Sequence, residues 1–224
     1  MHQLISKKKL IYLSLFFFLV SINKPSIINL SFPKIKNIEI SGVNIKESKE
    51  IEKIIKDSII ENIFFINKFE IKKKIISINT VEQFRIFKNY PSTLKIDIKK
   101  TKFLAQIKKN GIDYFVGSNG KLIKKDDTFS NLPYIFGDLN IEEFLDFKKK
   151  IDESNFEFNQ ISNLYLYKSK RWDIETLKGN IIKLPKKNIE KNLNLFVRLS
   201  KDEKFKDNMI IDFRVGDQII FNEK

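Results

Sequence analysis

Between Thr93 and Lys100 the chain alternates with a period of two, setting Leu94, Ile96 and Ile98 against Lys95, Asp97 and Lys99. Successive side chains of a strand point to opposite faces, so this stretch specifies a strand with one buried face and one wet face. A sheet built on it must be covered on one side only. The residues that supply the cover lie upstream, where the period changes from two to that of a helix.

"KIKNIEISG" places Ile38 and Ile40 at strand spacing and stops at Gly42, a turn residue. The next stretch carries Ile51, Ile54, Ile55, Ile59 and Ile63 on one helical face, with Asn44 or Ser48 as the cap. A short apolar segment, "IFFIN", leads to a second helix with Phe69, Ile71 and Ile75 at rough three-to-four spacing. "TVEQFRIFKNY" reads as a strand, and the alternating strand follows it. The order is β-α-α-β-β, two helices covering a three-stranded sheet. The expected domain runs from 33 to 107, with the wet side of the sheet or its edge open to partners.

From 108 to 224 the pattern is richer in strand. "GIDYFVGSNGKLI" is a hairpin turning at Asn119-Gly120. An apolar strand around Tyr134 follows, then an amphipathic helix with Phe144, Leu145 and Phe147 inward. Three strand-like runs come next, then a helix bearing Ile189, Leu193, Phe196, Val197 and Leu199. The chain closes on a strand, a turn or bulge at Gly216 and a last strand. A last strand at a sheet edge offers main-chain groups for strand addition.

The N-terminus is of another kind. Lys7, Lys8 and Lys9 precede an apolar run from Leu10 to Ile22, the charge order of an export signal. Such a run makes a helix of about 20 Å against roughly 30 Å of hydrocarbon, a length that by itself suits a signal-peptide core. No small-x-small cleavage pattern follows, and Ile27, Ile28, Leu30 and Phe32 extend the apolar stretch. The expectation is a short cytoplasmic tail (1–9), a retained transmembrane signal anchor with its juxtamembrane segment (10–32) and exported domains beyond. A cleaved signal is the alternative.

The net charge of +14 would ordinarily suggest a nucleic-acid or anionic-membrane partner. Only Arg85, Arg171, Arg198 and Arg214 of the 42 basic residues are Arg, and Lys is spread over the whole chain alongside abundant Ile, Asn and Phe. That is a compositional bias, so nucleic-acid binding is not expected. The chain has no Cys, and its single His is His2, which removes thiolate sites and a histidine base from the folded part. The acidic pairs Asp126-Asp127 and Glu142-Glu143 sit in a Lys-rich turn and at a helix start, where structural roles suffice. No phosphate loop, dinucleotide fingerprint or nucleophile elbow is present. Neither an enzyme nor a cofactor is expected.

Four segments together resemble one family. They are "IKNIEISGVNI" with its helix, "YPSTLKIDI" (90–98), "RWDIETLKGNIIKLP" (171–185) and "IDFRVGDQIIF" (211–221). In this order they are similar to the bacterial cell-division protein FtsQ, called DivIB in Gram-positives. Lys100 and Phe103 stand where that family often has Glu and Pro, and Gln218 where Arg is common.

The resemblance implies an α+β chain: a membrane anchor, a POTRA domain and a β-rich second domain with a terminal edge strand. It implies a non-enzymatic, single-pass scaffold of the divisome, anchored in the inner membrane at the septum with its domains in the periplasm. The last strand would dock the bitopic coiled-coil pair FtsB and FtsL, while the POTRA domain would contact other division proteins. By motif position the docking residues are Arg214, Val215, Gly216, Asp217, Gln218, Ile219, Ile220 and Phe221. Arg171 is a possible further charged contact, and Trp172 is assigned to packing. The rival is a POTRA protein of outer-membrane assembly or secretion, although the long run of membrane strands expected of one is missing.

Overall fold

The computed structural model describes residues 7–21, 34–59, 63–125, 131–202, 205–216 and 218–223. The first domain is a three-stranded sheet in the order β1-β3-β2, built from β1 (Asn37–Ser41), β2 (Val81–Asn89) and β3 (Thr93–Lys100). β1 runs parallel to β3, and β2 antiparallel to it. Helices α2 (Ile45–Lys56) and α3 (Lys68–Ile76) cover one face. Leu94, Ile96 and Ile98 of β3 meet Ile51 and Ile55 of α2 and Ile71 and Ile75 of α3 in one buried cluster. Each such side chain contributes roughly 1.5–3 kcal/mol by leaving water.

Asn44 caps α2 by a capping box, its side chain accepting from the Glu47 amide while the Glu47 carboxylate accepts from the Asn44 amide. The turn from β1 into this cap passes through Gly42 at φ +85°, where a Cβ would lie 1.8 Å from the Ile98 carbonyl oxygen. Only glycine fits there.

Two expectations need correction. The 94–98 strand is the middle strand of its sheet, and the sheet's edges are β1 and β2. Its wet face is occupied by ionic contacts, with Asp97 accepting from the Ser41 hydroxyl and facing Arg85 and Lys95. Phe69, assigned to the apolar face of α3, instead stands 72% exposed on the helix's first turn. Asn67 caps that turn, and its start point directs Ile71 and Ile75 to the sheet and Phe69 away from it.

The second domain is a nine-stranded sheet in the order β12-β11-β10-β9-β8-β7-β4-β5-β6. Its strands are β4 (Phe103–Lys109), β5 (Ile112–Gly117), β6 (Leu122–Lys124), β7 (Tyr134–Phe136), β8 (Ile161–Leu166), β9 (Trp172–Thr176), β10 (Ile181–Lys183), β11 (Met209–Asp212) and β12 (Ile220–Glu223). Helices α4 (Ile141–Asp152) and α5 (Ile189–Leu199) pack on one face. Phe144, Phe147 and Ile151 of α4 and Ile189, Leu193 and Phe196 of α5 close over Ile135, Leu164, Ile174, Ile182 and Ile211. The Asn119-Gly120 hairpin falls where the sequence places it, between β5 and β6. Glu142 and Glu143 lie in the capped first turn of α4, and Asp126-Asp127 lies outside the described residues.

The domain boundary expected at 107 falls inside β4, which is bonded to β5 and β7 of the second sheet. The first sheet therefore ends at Lys100. Strand periodicity runs on through both β3 and β4, and a period says that a residue is in a strand without saying in which sheet.

The junction is densely bonded. Asn119 donates its side-chain amide to the carbonyls of Asn79 and Val81, both at 2.9 Å, and Asn79 donates in return to the Leu122 carbonyl at 2.9 Å. The Ser118 hydroxyl donates to Glu82, and the Lys121 ammonium to the Ile76 carbonyl. Gly117 lies against this knot, where a Cβ would fall 2.6 Å from Asn119 Oδ1.

Helix α1 (Lys7–Ser21) has no polar face, and no helix among the described residues is long and apolar enough to cross a membrane. The rest of the expected anchor, 22–32, lies outside the described residues.

Candidate functional site

On the face of the larger sheet opposite α4 and α5, the strand registers align side chains in rows. One row runs Phe136, Tyr165, Asp173, Lys183, Asp212, Ile220 across β7 to β12. Three of its members alternate in charge, and two arginines flank them. Arg214 follows β11 and is clamped by Asp212: its Nε donates to Oδ1 at 2.7 Å, its backbone amide to the same oxygen at 2.9 Å, and its Nη2 to Oδ2. This clamp fixes the start of the turn that delivers β12, which the Gln218 amide closes on the Val215 carbonyl at 2.9 Å.

Arg171 precedes β9 at the end of a tight turn, bonded from the Tyr167 amide to its carbonyl at 3.0 Å. Its guanidinium lies 4.7 Å from the Tyr167 ring centroid, and its Nε is 3.5 Å from Asp173 Oδ1. Asp173 is 1% exposed. Burial pushes its carboxyl above the ordinary range, against the attraction of Arg171 and a hydrogen bond with Tyr167. In the neighbouring row Asn163 donates to Glu175 at 2.9 Å, Tyr165 of the first row donates to the same carboxylate at 2.8 Å, and burial with that bond pushes the Tyr165 phenol up to about 12.

The last strand leaves its outer main chain exposed. β12 pairs with β11 on one side only, and Ile220, Phe221, Asn222 and Glu223 are all exposed. At the far end of the same sheet, β6 is short, and the Leu122 carbonyl is occupied by Asn79. The described open edge of the larger sheet is therefore β12.

The residues expected at this edge divide into three groups. Gln218, Ile220 and Phe221 lie on or beside the exposed strand, while Ile219 packs against the core. Arg214, Val215 and Gly216 form the exposed turn before it, with Gly216 at φ +44°, and Asp217 lies outside the described residues. Arg171 stands apart from the edge: β10 and β11 intervene, and its guanidinium faces buried Asp173. Trp172 is buried, as expected of a packing residue. Tyr167, Asp173 and Lys183 were not anticipated. The alternation of β9 puts Asp173 and Glu175 on one face, but only the pairing of distant strands shows which cations meet them.

The clamp is pH-dependent. Hydrogen bonds from Arg214 hold the Asp212 carboxyl below its ordinary value of 3.8, against the opposing effect of burial. A depressed folded value means that the stabilisation is fully present above 3.8 and is lost as pH falls through the folded value. Amide exchange in β12 is expected to accelerate in that acid window in the native protein. In Asp212→Asn it should already be fast at neutral pH. Identical exchange profiles in the two proteins would show that the clamp does not hold the strand.

A family model described as the C-terminal region of cell division protein FtsQ/DivIB matches residues 105–214, and one described as the FtsQ-type POTRA domain matches residues 33–100. Cell division protein FtsQ of Rhizobium radiobacter is 25% identical over 152 residues, which cover 66% of this chain and 72% of that protein. FtsQ of Agrobacterium fabrum is 25% identical over 66% of this chain and 48% of its own length. DivIB of Clostridium botulinum strain Loch Maree is 30% identical over 65% of this chain and 51% of its own length. The chain thus spans about half the length of the latter two relatives. Among solved structures, the major extracytoplasmic domain of the trans isomer of DivIB from Geobacillus stearothermophilus aligns with a TM-score of 0.36 at 11% identity. That alignment covers 46% of this chain and 92% of that one.

Proposed function

The chain belongs to the FtsQ/DivIB family of cell-division proteins, and we propose that it acts there as a non-enzymatic, single-pass membrane scaffold. In this reading α1 and the segment after it anchor the chain in the inner membrane, and both domains lie in the periplasm. β12 receives an added strand from a bitopic coiled-coil partner of the FtsB and FtsL kind, and the first domain contacts other division proteins. The observation that carries the reading is that β12 ends a nine-stranded sheet with every described residue exposed and with one side unpaired. Main-chain hydrogen bonds along such an edge supply affinity, and alternate side chains supply specificity.

A photo-crosslinking residue at Gln218, exposed beside β12, tests this in living cells. Capture of a small bitopic coiled-coil protein supports the reading. Capture of an outer-membrane barrel or secretion component would move the protein to a different assembly. Capture only from a probe on β1 or β2 would keep the scaffold and reject this edge.

A further inference from the structure

We propose that the end of the first domain where the chain enters is a bilayer-docking surface: Phe64, Phe65, Phe69 and Tyr90 seat in the interfacial region of an anionic membrane, with Lys68 and Lys72 on its phosphates. The proposal rests on the reading of the N-terminal segment as a membrane anchor, and it adds a second contact between the folded domain and the lipid.

The aromatic groups are exposed, and two of them, Phe64 and Tyr90, touch. Phe64 and Phe65 occupy the turn between α2 and α3; their neighbours Ile63 and Ile66 are buried, whereas Phe65 is 63% exposed. Phe69 follows on the first turn of α3. The Phe64 ring lies 4.9 Å from that of Tyr90, in the turn between β2 and β3. Large apolar side chains exposed side by side mark a contact surface. Aromatic rings flanked by lysines suit the headgroup region, where the ring takes the apolar side and the ammonium the polar one.

Charge selects lipid over an apolar protein groove. The α3 sequence KFEIKKKII holds four lysines against one glutamate. Lys72 lies one turn from Lys68 on the face it shares with Phe69. Lys88 reaches the same turn, its ammonium donating to the Phe64 carbonyl at 3.1 Å.

The position of the tether supplies a third, independent argument. The amides of Lys36 and Asn37 both donate to the Ser92 carbonyl, at 2.9 and 3.3 Å. Asn37, Asn89 and Thr93 face one another in the sheet register. The entering chain, the Tyr90 turn and the Phe64 turn thus share one end of the domain. Residues 22–33 join this end to α1 and reach at most about 43 Å when fully extended. In the anchored reading the aromatic end is therefore the end to which the tether attaches.

The absence of cysteine allows a direct test on the full chain, because Phe65→Cys creates the only thiol. An environment-sensitive fluorophore is attached there, and in separate proteins at Leu15→Cys and Lys178→Cys. Each is reconstituted in vesicles of phosphatidylethanolamine with phosphatidylglycerol, or of phosphatidylcholine alone. The position-65 probe should shift to the blue and be quenched by spin-labelled lipid in the anionic vesicles, while the position-178 probe reports water. Quenching should weaken toward about 1 M salt, where the Debye length falls to about 3 Å. Removing Lys68 and Lys72 (K68Q/K72Q) should lower the docked-to-undocked ratio about fivefold per lysine.

Water at position 65 with lipid at position 15 overturns the proposal and leaves the anchor standing. Water at both removes the anchor and the proposal together. Burial of position 65 only after another division protein is added identifies a protein interface and overturns the lipid assignment.

Discussion

Replacing Trp172 by Ala is expected to destabilise the second domain by about 3–5 kcal/mol, the range for deleting a large aromatic side chain from a core. The indole is 5% exposed and stacks on Phe147, centroids 4.6 Å apart and planes within 5° of parallel, with Phe144 at 6.3 Å. Both phenylalanines belong to α4, so the ring is the principal aromatic tie between that helix and the sheet. Its backbone carbonyl also accepts from the Leu184 amide at 3.3 Å, joining β9 to the exit of β10. The measurement is urea denaturation followed by circular dichroism, since Trp172 is the only tryptophan and its fluorescence vanishes with it. Trp172→Phe should recover much of the loss. A Trp172→Ala protein within about 0.5 kcal/mol of the native one, the usual range for surface changes, would mean that α4 is held by other contacts.

The second large effect falls on binding. Phe221→Ala is expected to weaken capture of the proposed coiled-coil partner by at least about 30-fold, the equivalent of a hot-spot loss of about 2 kcal/mol. The phenyl group is 42% exposed on the open strand, opposite Ile211 in the register. It has little folded-state packing to lose, and a strand laid along β12 would cover it. Stability should change by no more than about 0.5 kcal/mol. Surface-immobilised partner ectodomain binding the two proteins, read beside their thermal unfolding, separates the effects. Unchanged affinity would transfer the docking site away from β12, and a parallel fall in affinity and stability would make Phe221 a structural residue.

The contrast between these residues shows what the sequence made legible. Trp172 could be assigned to packing because a lone tryptophan in an internal strand has few other uses, and β3 could be assigned because its alternation survives intact in the fold. The Asn44 cap, the Asn119-Gly120 hairpin and the terminal strand are equally local, each specified by residues within a few positions of one another. What escaped depends on pairing between distant segments. β1 lies parallel to β3, β4 leaves the first sheet for the second, and Asp173 meets Arg171 just before its own strand and Lys183 on the next. Phe69 escaped for another reason. Three apolar positions at rough helical spacing do not all share one face on a helix of nine residues, and the Asn67 cap decided which were excluded.

Between β3 and β4 lie only Thr101 and Lys102, and neither is loose: the Thr101 amide donates to the Thr80 carbonyl at 2.9 Å, and the Lys102 amide to the Ser118 hydroxyl at 3.1 Å. A joint of that kind does not swing. Under the proposed function it turns the molecule into a ruler, with one end set by the segment leaving the anchor and the other marked by β12. The proposed partner, rooted in the same bilayer, would then have to bring its own strand to that mark. One helical turn added to its coil, about 5.4 Å, would carry the strand past the edge, so the length of the partner's coil becomes part of the recognition code.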